Sequence, residues 1–287
     1  MSVRSSGTGK RLKDAVQMLA HRPVRIRVLL YHDVGLAVPG VTSDLTVANQ
    51  DFAQQVRWLS EHRYSTLRLQ DFLEWKERGK VLPPKSILIT LDDGYQGIAQ
   101  NALPLLQQYG FTAVVFVVTS RVGGTNQWDE EKGLPRSTLI SAEEIRTWSQ
   151  RGIEFGSHSR THTDLTRISG RDLENEIAGS RHELAAILGA PPIAFAYPGG
   201  SFDRTVQNRV REYFKLGFTS LHGFNMSNTD PHAIRRTVVS PRDTIHDFRW
   251  RMLLAFSPRD KLSRIIHNRL GTQPRPALSE PAPGNVR

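Results

Sequence analysis

Residues 86–94 read SILITLDDG. The first six form a compact apolar run, and Asp92-Asp93-Gly94 supplies turn chemistry, so the stretch is a buried strand that stops at a turn. Reading outward, the same unit recurs. Upstream, VRIRVLLY (24–31) is a strand entering the core, 51–61 is helical with Phe52, Val56 and Leu59 on one face, and 69–79 is a second short helix. Downstream, 98–109 is a helix stopped by Gly110, a natural C-terminal cap, and TAVVFVV (112–118) is another buried strand. After a long loop, 120–138, a capping box of Ser141 and Glu144 opens a helix over 141–151. A short strand, 153–156, leads into His158, and a helix over 170–188 turns Leu173, Ile177 and Leu184 inward. The strand 193–197 ends at Pro198-Gly199-Gly200, followed by a helix over 203–216 and a strand over 218–221.

Strands alternating with helices give parallel strands with helices outside. Each apolar strand delivers polar groups at its C-terminal end: His32, then Asp92 and Asp93, then His158, then Tyr197 with Pro198 and Gly199. In parallel α/β barrels that end carries the active site.

The 287 residues suit one such barrel, and the 38% hydrophobic content is enough for its core. A formal net charge of +10 attracts anions: nucleic acid, acidic glycans or an anionic membrane face. Aromatic content is 8%, and no basic stripe is interleaved with aromatics, which argues against nucleic acid. With no cysteine, a metal would have to be held by His, Asp or Glu. No stretch approaches the ~20 apolar residues of a membrane span, and the charged N-terminus lacks a signal-peptide core, so the expected location is cytoplasmic.

The expected division is a basic, partly helical leader over 1–23, a catalytic domain over 24–250, a basic amphipathic helix over 251–271 and a disordered Pro/Ala/Gly tail over 272–287. Leu262, Ile265, Ile266 and Leu270 form the apolar stripe of that helix. Its basic flanks suit either packing on the barrel or peripheral attachment at the inner membrane face.

His158 and His162 stand four residues apart and, if helical, project from one face. Two imidazoles and a carboxylate make a ligand set that leaves positions open for water and substrate. This spacing alone is weak, since a pair of surface or capping histidines gives it equally well. Asp92 and Asp93 strengthen it. Turn chemistry explains one aspartate and the glycine but leaves two like charges side by side. A divalent cation would relieve them. One carboxylate can then bind the metal while the other acts as general base.

Three segments also carry a resemblance. TLDDG (90–94), HSRTH (158–162) and FAYPGG (195–200) resemble, in order, the three motifs of the polysaccharide deacetylases, also called the NodB homology domain or carbohydrate esterase family 4. LLYHDV (29–34), the segment 123–129 and GIEFGSHS (152–159) are similar too, and the resemblance spans roughly 24–245. It implies a distorted (β/α) barrel of about seven parallel strands. The activity implied is removal of N-acetyl groups from N-acetylhexosamine units of a polysaccharide or its lipid-linked precursor. Exopolysaccharide or cell-envelope synthesis is the implied setting, with an acetylated glycan, the membrane surface or synthesis proteins as partners. Asp92 would be the general base, and Asp93, His158 and His162 would hold a divalent ion, commonly zinc. The loop of Tyr197, Pro198 and Gly199 would supply a backbone N–H to the oxyanion.

The sequence departs from the family in two places. Ala196 stands where an arginine is usual, and no late Leu-x-His supplies an acid, since His222 follows Leu221 directly and His246 and His267 sit in other contexts. The opening YHD (31–33) resembles the subgroup acting on poly-N-acetylglucosamine, in which an early histidine is the acid. That role falls on His32, against a plain strand-capping role. Arg236, or equally Arg235, could orient Asp92 in place of the missing arginine. Asp164 reads as a helix cap. Trp128 and Asp129 lie in a loop over the site, either touching sugar or closing the core. Two other functions stay open: an amidase of small non-sugar C–N bonds, and a catalytically silent carbohydrate-binding barrel.

Overall fold

The computed structural model describes residues 24–36, 45–130 and 135–254. The leader 1–23, the tail 272–287 and all of the expected basic helix beyond residue 254 lie outside the described residues. Among the described residues no helix is long and apolar enough to cross a membrane.

The strands are β1 (Arg27–Tyr31), β2 (Asp33–Gly35), β3 (Thr46–Ala48), β4 (Ser65–Thr66), β5 (Ser86–Leu91), β6 (Val114–Val117), β7 (Glu154–Ser157), β8 (Ala194–Ala196), β9 (Leu216–Phe218) and β10 (Thr237–Val238). The main sheet runs β10-β1-β5-β6-β7-β8-β9, every pair is parallel, and β4 adds to β5. The segment carrying β10 joins the two ends of this sheet. Ile234 bridges Phe218 of β9, and three residues later Thr237 pairs with Leu29 of β1. The sheet thus curls on itself as the expected distorted barrel of parallel strands.

Alternate strand residues face two cores, as a period of two requires. Val28, Leu88, Val114, Phe116, Ala194, Leu216 and Ile234 pack together in one cluster with the helix Leu69–Arg78. That helix covers the N-terminal mouth: Leu67 N–H donates to Ile87 O at the start of β5, and Leu69 N–H donates to Glu154 at the start of β7. On the other side Leu29, Ile89, Leu91 and Val115 pack with Phe52, Val56 and Leu59 of the helix Asn49–Glu61. The opposite mouth, at the C-terminal strand ends, is left for polar groups.

Several elements differ in extent from the sequence reading. The strand expected over 218–221 is Leu216–Phe218, because Thr219 turns its hydroxyl and amide to Ile234 O. The helix over 98–109 opens with a π turn, Ile98–Ala102, before Leu103–Gln108. Its entry is tight: a Cβ on Gly97 would lie 2.2 Å from Asp33 Oδ1, so only glycine lets β2 approach here. The helix over 170–188 also holds a π turn, Asn175–Gly179. The boundary set at 250 falls inside a helix, Ile245–Leu254, whose Phe248 and Met252 enter the core.

Candidate functional site

Parallel register assembles the site. Tyr31 pairs with Leu91, so His32 and Asp92 leave the sheet side by side, with Asp92 N–H on Tyr31 O at 2.9 Å. Val117 pairs with Ser157, and the next residue, His158, donates its N–H to Val117 O at 2.9 Å. Asp92, Asp93 and His158 are all buried, at 2, 3 and 2 % exposure.

The segment 158–162 is a loop rather than the helix that the spacing allowed. Ser159 and His162 both take left-handed backbone angles (φ 61° and 65°), as does Asp93 (φ 71°). Non-glycine residues rarely adopt these angles, and the strain persists only where neighbours over-determine it. Here Glu176 of the π turn does so. It accepts the Arg160 and Thr161 amides at 3.0 and 2.9 Å and the Thr161 hydroxyl at 2.7 Å. Ser159 Oγ accepts the His162 N–H at 3.0 Å. The sequence reading missed Glu176. The signal was an acidic residue beside Leu173 and Ile177 on a helical face that turns inward.

Asp93 Oδ1 stands 3.4 Å from His158 Nε2 and 3.3 Å from His162 Nε2, and it is buried without a well-formed hydrogen bond. Donors bound about 2.0–2.1 Å from a tetrahedral ion stand about 3.3 Å apart, so this set fits a divalent ion. All three ligand atoms lie within 4.8 Å of one another. His158 Nδ1 lies 2.8 Å from Ala196 O. Donation to that carbonyl puts the proton on Nδ1 and leaves the Nε2 lone pair facing the carboxylates. Burial lowers the His158 pKa to about 4, so the ring is neutral near pH 7. Burial alone would raise the Asp93 carboxyl, but the His162 and His158 imidazoles outweigh it and hold Asp93 well below the usual carboxylate range. Trp128 stacks on the His162 ring at 4.9 Å and 23°.

Asp92 lies 3.8 Å from His158 Nε2 through Oδ2. Both its oxygens are gripped by Arg236, Nη1 on Oδ1 and Nη2 on Oδ2, each at 2.7 Å. Arg236 Nε donates to Thr219 O at 2.8 Å, and the whole side chain is buried. Burial again works to raise the Asp92 carboxyl, but Arg236 and then His158 lower it below its ordinary value. Of the two arginines, Arg235 turns away to His222 O. His232, Ile234 and Arg236 are buried while Ala233 and Arg235 are less so, and this alternation turns Arg236 inward; the sequence, apolar at both 233 and 234, carries no such period.

His32 is partly buried and makes no side-chain hydrogen bond among the described residues. Its charge contributes to lowering both Asp92 and Asp93, which places it within electrostatic reach of both. The loop of Tyr197, Pro198 and Gly199 needs a correction. Tyr197 N–H is taken by Phe218 O at 3.0 Å, its hydroxyl donates to His232 O at 2.9 Å, and its ring lies in a separate apolar cluster. Pro198 has no N–H. Neither can donate to the site, which leaves the amide of Gly199 (φ 60°). Asp164 accepts the Thr166 N–H and hydroxyl and caps its short helix. Asp129 accepts from the Tyr95 hydroxyl rather than joining the ligand group.

The family model for polysaccharide deacetylases matches residues 79–219. A poly-beta-1,6-N-acetyl-D-glucosamine N-deacetylase of Staphylococcus aureus is 31% identical over 205 residues, covering 68% of each chain. The chain belongs to the polysaccharide deacetylase family. Solved structures share the fold of this deacetylase. The Streptococcus pyogenes deacetylase PplD, solved with acetate, has a TM-score of 0.71 at 23% identity, over 83% of this chain and all of its own. A polysaccharide deacetylase of Bacillus cereus gives 0.66 at 26% identity, over 80% of this chain and 69% of its own. The chain is thus an enzyme of a deacetylase family, with a group of three residues that could hold a metal ion.

Proposed function

We propose that this deacetylase removes N-acetyl groups from N-acetylhexosamine units of a polysaccharide or its lipid-linked precursor, in a metal-dependent reaction of exopolysaccharide or cell-envelope synthesis. One observation carries the reading: a buried carboxylate oxygen shared by two imidazoles, beside a second carboxylate clamped by Arg236. Asp93, His158 and His162 hold a divalent ion, with zinc suited to the donor spacing. That ion supplies the Lewis acidity that polarises an acetyl carbonyl and acidifies water.

The chain's own residues do the rest. Asp92 takes the proton from the attacking water, while Arg236 keeps it ionised and fixes its orientation. The Gly199 amide donates to the oxygen that gains charge as the carbonyl is attacked. His32 gives a proton to the leaving amine nitrogen, which cannot depart as an anion. Trp128 restrains the His162 ring by stacking on it. The test is acetate release from β-1,6-linked N-acetylglucosamine oligomers. Release that stops on chelation and returns with a divalent ion supports the reading. Absence of acetate from every acetylated amino-sugar oligomer, with each divalent ion tried, overturns it.

Attachment to an anionic membrane face is a finer part of the same reading. Trp250, Leu253 and Leu254 are exposed along one side of the helix Ile245–Leu254, with Arg249 among them, a pattern suited to a lipid interface. Flotation with anionic vesicles at low salt tests it, and failure to float removes it.

A further inference from the structure

A groove opens beside the ligand loop. It has a volume of about 440 Å³, within the range of sites for small ligands, and is lined by Ser120, Arg121, Gln127, Glu130 and Arg136 among others. Two contacts fix its place relative to the site. Ser120 N–H and Oγ both donate to Arg160 O, in the middle of the segment that carries His158 and His162. Trp128, between the lining residues Gln127 and Glu130, stacks on His162. The groove therefore lies beside the loop and the indole that position the candidate metal centre.

Among its described lining residues the charges do not balance. Arg136 Nε stands 3.3 Å from Glu130 Oε1, so these two offset each other. Arg121 has no such partner among the described residues, and its half-buried side chain lines the groove. A guanidinium with no carboxylate partner offers donors to an oxyanion that enters the groove. Ser120, Thr125 and Gln127 add hydroxyl and amide groups of the kind that bind sugars.

We propose that this groove is a subsite for an anionic group on the glycan, held by Arg121 next to the acetylated unit. The inference rests on the deacetylase reading above and narrows its substrate to an acidic glycan. The anion is a carboxylate of a uronic acid or a phosphodiester, since both present oxygens that match a guanidinium fork.

The test uses three oligosaccharides of equal length: neutral N-acetylglucosamine oligomer, one with a hexuronate beside the acetylated unit, and one with a phosphodiester there. The wild type should favour one acidic oligomer, with KM lower by about tenfold, the worth of one charge-assisted contact. Which of the two is favoured names the anion. In Arg121→Gln the ratio of kcat/KM between acidic and neutral oligomers should fall by about the same factor. Calorimetry with an oligouronate or phosphodiester oligomer lacking acetyl groups gives a readout without turnover. Binding should weaken with added salt and weaken about tenfold in Arg121→Gln.

An acidic-to-neutral ratio near one in the wild type, or one that Arg121→Gln leaves unchanged, overturns the subsite. The deacetylase reading then survives if the neutral oligomer still yields acetate. Salt-sensitive binding that needs Arg121, with no acetate from any oligomer, leaves the subsite standing and overturns the deacetylase reading instead.

Discussion

Among the described residues two arginine–aspartate pairs are buried, and they differ in what surrounds them. Arg236 grips both oxygens of Asp92 at 2.7 Å, and the same carboxylate lies 3.8 Å from His158 Nε2. Arg251 holds Asp243 through Nη2 at 2.9 Å, and Asp243 also accepts the Ser240 N–H at the same distance. The second pair braces the N-terminus of the helix Ile245–Leu254 and has no imidazole among the groups that shift it. Burial dominates there and leaves the Asp243 carboxyl above its ordinary value despite Arg251. At the first pair Arg236 and His158 win, and Asp92 falls below its ordinary value. A buried ion pair is thus no sign of chemistry by itself. Position at the C-terminal strand ends, beside two imidazoles, is what distinguishes Asp92.

Substituting each aspartate gives the sharpest contrast. Asp92→Asn should cost about 10²–10⁴-fold in kcat for acetate release while the protein stays folded. Asp243→Asn should leave kcat of the folded enzyme near normal and lower the unfolding free energy by about 3 kcal/mol, read by urea titration. Equal losses of kcat in both would erase the distinction.

The arginines extend it. Arg236→Met and Arg251→Met each strand a buried carboxylate, so each should destabilise by roughly 3–5 kcal/mol. Only Arg236→Met should also reduce kcat in the protein that remains folded, and Arg235→Ala should do neither. The acid role is tested by His32→Gln, with kcat expected to fall by about 10²-fold and the alkaline limb of the pH–rate profile to disappear. A retained alkaline limb would return His32 to a structural role.

The smallest effect concerns pH. The His158 pKa falls from 6.5 to about 4 on folding, so the unfolded chain takes up its proton first as pH drops. Stability from this group is complete above pH 6.5 and is lost progressively as pH falls toward about 4, by roughly 3 kcal/mol in all. Asp92 and Asp93, both lowered, lose theirs below their ordinary value of 3.8. Urea titrations of metal-free protein between pH 7 and 4 should show this slope, and His158→Ala should flatten it. Stability that rises toward pH 4 would reverse the sign.

Much of this was legible in the sequence, for physical reasons. Buried parallel strands are apolar on both faces, so SILITL and TAVVFVV stood out, and the polar exits at His32, Asp92 and His158 marked the mouth that is not packed. The residues of the ligand group were readable as types at strand ends. Their convergence came only from the family resemblance, because it depends on left-handed backbone at Asp93, Ser159 and His162, which no periodicity reports. Glu176 was hidden for a related reason. It lies 14 residues past His162, and only the π turn and loop packing bring it onto the Arg160 and Thr161 amides. Tyr197 misled because a strand-end aromatic next to Pro-Gly looks like an exposed loop, whereas its ring turns into the core.

The most direct measurement is metal content and acetate release taken together on three proteins: wild type, Asp92→Asn and His158→Ala. The structure predicts about one divalent ion per chain in wild type and Asp92→Asn, with acetate from wild type alone, and neither metal nor acetate in His158→Ala. Full metal content in His158→Ala, or undiminished acetate release from Asp92→Asn, would contradict it.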